Sequence, residues 1–150
     1  MSESTSHFPL FVDLTGRPCV IVGGGAIAAR RAEVLARFGG AVTVIAPTWR
    51  GGVSGARWER RTYRSGDLAG AFLAVAATDD RAVNRQVGEE ARALGIPVSV
   101  ADCREECSFF FPAVCEGGGV TAGLVSRGGR DHARTARAAR AVRKTLEGLE

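Results

Sequence analysis

Apolar positions along the chain fall into short continuous runs separated by stretches of helical periodicity. Cys19-Val-Ile-Val22 is apolar throughout, as a strand covered on both faces requires. Ala26 to Phe38 then carries Ala26, Ala29, Val34, Leu35 and Phe38 at roughly helical spacing, which predicts a helix, and Gly39-Gly40 closes it. The alternation continues with a strand at Ala41 to Ala46, a third at Arg57 to Tyr63 and a fourth at Ala71 to Ala77. A helix over Asp80 to Leu94, stopped by Gly95, leads to a fifth strand at Ile96 to Ala101. Pro47 to Ala56 reads as irregular, and Ser65-Gly-Asp-Leu68 as a turn or short crossover. Strands joined by helical crossovers predict a Rossmann-type α/β fold, a doubly wound parallel sheet.

Both ends differ from this middle. Met1 to His7 is polar and reads as a frayed tail. Phe8 to Leu14 reads as a lead-in that packs apolar side chains against the sheet, and Thr15-Gly-Arg-Pro18 as a turn. After Asp102 the helical crossovers stop. Phe109 to Cys115 and Val120 to Val125 are strand-like runs joined by Gly117-Gly-Gly119, which predicts an appended C-terminal β-hairpin. Three consecutive phenylalanines on a strand must bury at least one ring, and a second subunit is the expected cover. Arg130 to Leu149, rich in alanine and arginine, is the last expected helix. These patterns divide the chain into a doubly wound α/β domain at 1–102 and an appended segment at 103–150, where the contact with a second subunit is expected.

Composition narrows the classes. The chain has 150 residues, 45% of them apolar, enough for one domain with a true core. The net charge is +4, carried by arginine, with Lys144 the single lysine. No stretch resembles a secretory signal or reaches membrane-spanning length. Cys19, Cys103, Cys107 and Cys115 are read as reduced thiols, which places the protein in the cytoplasm.

The turn after the first strand carries the clearest chemistry. Gly23, Gly25 and Ala28 fit the pattern G-x-G-x-x-G/A. Gly23 allows a tight turn, Gly25 lets a pyrophosphate reach the backbone, and Ala28 lets the helix lie close to the sheet. The helix N-terminus then faces the phosphates with free N–H groups. Ligands of such sheets bind beyond the carboxyl ends of the strands, so Gly23-Gly-Gly25, Thr78-Asp79-Asp80 and Asp102 are expected to converge. The second strand ends in Ala46-Pro47-Thr48, without the acidic residue that usually holds a ribose 2′-hydroxyl. Arg50 would suit a 2′-phosphate, or is a solvated loop arginine, so the residues alone leave NAD and NADP open.

The order of Phe8-Pro-Leu-Phe11, Gly23-Gly-Gly25 with Ala29-Arg-Arg31, Ala77-Thr-Asp-Asp80 with Asn84, Val98-Ser-Val-Ala-Asp102, Phe110-Phe-Pro112 and Ser126-Arg-Gly-Gly129 resembles one family. It is that of precorrin-2 dehydrogenase/sirohydrochlorin ferrochelatase, the siroheme synthase N-terminal module, and the likeness runs from about Phe8 to Arg143. The resemblance implies NAD-dependent oxidation of precorrin-2 to sirohydrochlorin and, in bifunctional members, insertion of ferrous iron. It also implies a homodimer built through the segment after the fifth strand.

By the same resemblance, Asp102 is the catalytic carboxylate. Gly23, Gly24, Gly25, Ala26, Ile27, Pro47, Thr48, Thr78 and Asp79 bind the cofactor, and Ser126, Gly128 and Arg134 bind substrate. The chain departs from the family at Ser99, where asparagine is usual, and at Arg130-Asp-His132, where a Ser-Pro pair is usual. It also ends without the helical domain that family members add.

Each assignment has a plainer rival. Asp102 at a strand end could cap a turn, and Asp79 or Asp80 could cap the next helix. Cys103, Cys107 and Cys115 form C-x3-C-x7-C, which matches no closed zinc pattern, so no metal site is expected. His7 belongs to the tail, and His132 reads as a solvated residue at a helix start. Arg127, Arg130, Arg134, Arg137, Arg140, Arg143 and Lys144 form a basic tract suited to a polycarboxylate tetrapyrrole, or else a solvated face. The tract has no aromatics for stacking on single strands, which disfavours nucleic acid. The competing function is a non-catalytic NAD(H)- or tetrapyrrole-binding sensor or carrier module.

Overall fold

A computed structural model describes residues 6–52 and 55–149. The start of the polar tail and part of the irregular Pro47 to Ala56 stretch lie outside the described residues, as does residue 150. The chain forms two compact units, Val12–Phe109 and a smaller one of residues 6–11 with 110–149. The boundary expected after Asp102 falls inside the larger unit, because the segment after the fifth strand returns to it. Ser108 donates its N–H to the Val98 carbonyl at 2.8 Å, and its hydroxyl accepts from the Val98 N–H at 2.8 Å.

In the larger unit, β1 (Pro18–Val22), β2 (Ala41–Ile45), β3 (Arg57–Glu59), β4 (Leu73–Ala76) and β5 (Val98–Val100) form one sheet. Its order is β3-β2-β1-β4-β5 and every pairing is parallel. The doubly wound α/β fold expected from the apolar runs is therefore the fold observed. Ile21, Val22, Val44, Val75 and Val98 have almost no exposed surface.

Helices α1 (Ala26–Arg37) and α2 (Arg81–Ala93) connect β1 to β2 and β4 to β5. α1 buries Ala28, Ala32 and Leu35, whose spacing of four and three lines one helical face. Ala26, expected on that stripe, is exposed because it opens the helix at the sheet edge. α2 buries Asn84, Val87, Gly88 and Ala91, and starts on Asp80, whose carboxylate accepts from the Ala82 N–H at 2.9 Å. A Cβ at Gly88 would meet Val100 Cγ2 at 3.3 Å, so glycine lets α2 lie close to β5.

Two expectations for apolar segments fail. Phe8, Leu10 and Phe11 are 86%, 74% and 71% exposed, and only Leu14 of the lead-in is buried. Residues 6–11 go with the smaller unit, where His7 stands against Phe110 with ring centroids 4.0 Å apart. The phenylalanine run Phe109 to Phe111 is half-buried irregular backbone, and β6 (Ala113–Gly117) begins after it. Pro112 has no N–H for a ladder and holds the strand start back.

β6 pairs antiparallel with β7 (Val120–Leu124) in the expected hairpin. Gly118 and Gly119 take φ of 56° and 75°, the left-handed pair that a two-residue hairpin turn needs. α3 (His132–Glu147) packs on the hairpin through Ala139 and Leu146 against Cys115. Gly117 has no room for a side chain, since a Cβ there would meet Leu146 Cβ at 2.9 Å. Among the described residues, no helix is long and apolar enough to cross a membrane.

Candidate functional site

Register brings the strand ends into one row. Ile45 pairs with Val22, Val22 with Ala76, and Ala76 with Val100. The ladder runs one residue further: Gly23 N–H donates to the Ile45 carbonyl at 3.0 Å, Ala77 N–H to Val22 at 2.8 Å, and Ala101 N–H to Ala76 at 2.9 Å. Gly23, Ala46, Ala77 and Ala101 are thus neighbours at one edge, and the segments they open carry most of the expected site residues.

The three glycines of the turn have separate physical reasons. Gly23 has φ 129°, and a Cβ there would overlap the Ala77 carbonyl. A Cβ on Gly24 would overlap the Thr48 carbonyl and stand 3.0 Å from Ala46 Cβ. Gly24 also accepts the Arg50 N–H at 2.9 Å, which folds the loop after β2 over the turn. Gly25 is the opposite case, since a Cβ there would meet nothing within 4 Å.

The protein therefore dictates glycine at Gly23 and Gly24, whereas the space above Gly25 stays open to a ligand. Gly25 is the N-cap of α1, no side chain caps that end, and no acidic residue stands in its first turn. The amides of the first turn and the positive end of the helix are left for an anion. Ala26 and Ile27 are exposed at this end, and Ala28 is fully buried against the sheet. These residues fit the pyrophosphate of a dinucleotide.

Pro47 and Thr48 are exposed beyond β2, and Trp58 of β3 donates its indole N–H to the Ala46 carbonyl at 2.9 Å. The Arg50 side chain is exposed while its backbone is held by Gly24. At the end of β4, Thr78 is locked to α2. Its N–H donates to Asn84 Oδ1 at 3.0 Å, its carbonyl accepts from Asn84 Nδ2 at 3.0 Å, and its hydroxyl lies 2.6 Å from Asn84 Oδ1. Asn84 is fully buried. Asp79 is exposed beside it, and capping falls to Asp80.

Asp102, two residues past β5, is half-exposed and ion-paired. Arg81 Nη1 donates to its Oδ1 at 2.6 Å, and Arg81 Nη2 donates to Glu106 Oε1. Burial works against the Arg81 charge, but the Glu106 hydrogen bond and the charges of Asp102 and Glu106 outweigh it and raise its pKa. Ser99 is buried on β5 and accepts from Arg31 Nη1 at 3.1 Å.

Ser126, Gly128 and Arg134 lie in the smaller unit. Ser126 Oγ accepts the Asp131 N–H at 2.9 Å, Gly128 takes φ 73°, and the Arg134 N–H donates to Asp131 Oδ1 at 2.8 Å. Cys107 donates to the Val100 carbonyl at 3.3 Å and accepts from its N–H at 3.1 Å, as a packed thiol. Among the described residues, no three His, Cys, Asp or Glu side chains are grouped to hold a metal ion.

Sequence reasoning missed Arg81, Glu106 and the reason for Gly24. Arg81 carried a signal, since an arginine at the first position of a helix opposes the helix dipole. Nothing local marks Glu106 or the approach of Thr48 to Gly24.

The fold and the open glycine turn define a Rossmann-type α/β domain. Residues 10–113 match the family model described as putative NAD(P)-binding, and the chain belongs to that family. It is 42% identical over 144 residues to the probable multifunctional siroheme biosynthesis protein HemA of Ruminiclostridium josui, a match covering 92% of this chain and 28% of that protein. It is 37% identical over 149 residues to the siroheme synthase of Photorhabdus laumondii, covering 95% of this chain and 31% of that protein. The chain thus spans under a third of the length of these curated relatives. Among solved structures, SirC, precorrin-2 dehydrogenase, superposes with TM-score 0.75 at 28% identity, covering 93% of this chain and 71% of that one. The resemblance read from the motifs is therefore found again in sequence relatives and in three dimensions.

Proposed function

We propose that the protein binds NAD on the glycine turn and oxidises precorrin-2 to sirohydrochlorin in siroheme biosynthesis. The observation that carries this reading is the row of strand ends. It places the open space above Gly25, the Thr78-Asp79 segment and Asp102 along one edge, in a fold similar to SirC, precorrin-2 dehydrogenase. When bound, NAD⁺ supplies a hydride acceptor. The reaction is balanced as precorrin-2 plus NAD⁺ giving sirohydrochlorin, NADH and one proton.

Gly23 and Gly24 shape the turn, Gly25 leaves the phosphates room, and the first-turn amides of Ala26 and Ile27 face them. Pro47, Thr48, Thr78 and Asp79 border the remainder of the cofactor. Asp102 accepts the proton released from the macrocycle. Its free oxygen supports this role, since Arg81 engages only Oδ1. Ser126, Gly128 and Arg134 are the proposed substrate contacts of the smaller unit, whose basic α3 suits a polycarboxylate.

A homodimer accords with the exposed Phe8, Leu10 and Phe11. Four cysteines without a disulfide accord with the cytoplasm. Ferrous iron would be a second substrate, with Asp102 taking up pyrrole protons. The test is anaerobic incubation with precorrin-2 and NAD⁺. NADH formation is expected in wild type and is abolished by Asp102→Ala, with NAD⁺ affinity retained in the variant. Intact nucleotide binding without turnover in the wild type would leave only the sensor or carrier reading.

A further inference from the structure

The Arg81 clamp on Asp102 goes unexplained by folding. Arg81 is the first residue of α2, immediately after the N-cap Asp80. A cation there meets the positive end of the helix dipole and is disfavoured. Ion pairs as open as these add little to stability, the Arg81 and Asp102 side chains being 44% and 38% exposed. The arrangement is nonetheless specific. One guanidinium fork spans two carboxylates from the segment after β5, Asp102 through Nη1 and Glu106 through Nη2. Two carboxylates sharing one neighbourhood would otherwise repel and splay. Asp102 Oδ2 takes no hydrogen bond among the described residues, so the clamp fixes the carboxylate by one oxygen and leaves the other to accept a proton.

Resting on the function proposed above, we infer that Arg81 is a positioning residue, holding Asp102 in its proton-accepting orientation at the cofactor edge while Glu106 anchors the other arm of the fork. Breaking a local rule at the site edge, with compensation from the proposed proton acceptor and one neighbouring carboxylate, is the pattern of a functional constraint. Arg81 itself touches neither the reacting atoms nor the phosphates in this scheme. Its removal therefore acts on turnover rather than on binding.

The test is a double-mutant cycle of Arg81→Ala and Asp102→Asn, with Arg81→Lys as the conservative variant, read in single turnovers with enzyme in excess so that slow rates are measured. Arg81→Ala is expected to lower kcat roughly 100-fold, with KM for precorrin-2 and Kd for NAD⁺ within about twofold and the melting temperature nearly unchanged. Arg81→Lys recovers part of the loss, since an ammonium keeps the charge but cannot span both carboxylates. In the Asp102→Asn background, Arg81→Ala adds no further loss. Wild-type kcat in Arg81→Ala, or the same factor lost in both backgrounds, overturns the inference.

Should wild type give no NADH at all, the functional reading fails and the clamp is judged from structure. A crystal structure of Arg81→Ala with Asp102 unmoved then overturns it, and a displaced carboxylate supports it.

Discussion

Gly24 and Gly25 are adjacent, yet the same substitution in each should act on different properties. Alanine at Gly25 enters at φ −84° and ψ −166°, an extended conformation open to any residue. Its methyl meets no protein atom within 4 Å. Restricting the unfolded chain contributes about 0.4–1 kcal/mol of stability, and alanine is a poorer N-cap than glycine by about as much. The variant should therefore melt close to wild type. On the proposed reading, its methyl occupies the space through which a pyrophosphate would approach the first-turn amides. Losing one hydrogen bond to a charged group is worth about 1.5–3 kcal/mol, or roughly 10- to 100-fold in Kd for NAD⁺.

Alanine at Gly24 drives its Cβ into the Thr48 carbonyl and against Ala46 Cβ at 3.0 Å. The backbone beyond β2 must shift, at about 1–3 kcal/mol or more. Isothermal titration with NAD⁺ and thermal melts on both variants separate the two effects. Wild-type affinity in Gly25→Ala, or a loss of stability there equal to that of Gly24→Ala, would refute the reading of the open space as a phosphate seat.

Two further outcomes concern stability. Asn84→Ala should cost about 2 kcal/mol or more, because the Thr78 N–H and carbonyl both lose their partner beneath a buried side chain. A melting point less than roughly 5 °C below wild type would contradict this. Burial pushes the Cys19 thiol up to about 11 from its ordinary 9.0. The unfolded chain thus releases this proton first, and the Cys19 contribution to stability is full below about pH 9 and lost as pH rises towards 11. Urea midpoints measured across that range should fall more steeply for wild type than for Cys19→Ala, and parallel curves would show the thiol is not the cause.

The parallel sheet was legible in the sequence because its buried strands read as continuous apolar runs bounded by glycine turns, as at Cys19 to Val22. The placement of Asp102 and Gly23 to Gly25 at one edge was legible because strand ends in such a sheet share an edge. Runs whose burial depends on distant partners were misread. Phe8 to Phe11 has the composition of a packed segment, and nothing local says that Phe8, Leu10 and Phe11 stay exposed. Pro112 did mark the late start of β6, but the three phenylalanines before it outweighed that signal. The clamp on Asp102 joins residues 21 and 25 positions apart. Such pairings arise only when β4 and β5 are set side by side.

The most direct measurement of the central claim is the stoichiometry of a single reaction under anaerobic conditions, with sirohydrochlorin and NADH quantified together from precorrin-2 and NAD⁺. Equal amounts of the two products in wild type, and neither in Asp102→Ala at saturating NAD⁺, is the result expected of a dehydrogenase working at this edge. Bound NAD⁺ with no sirohydrochlorin formed, or equal turnover in Asp102→Ala, would contradict it.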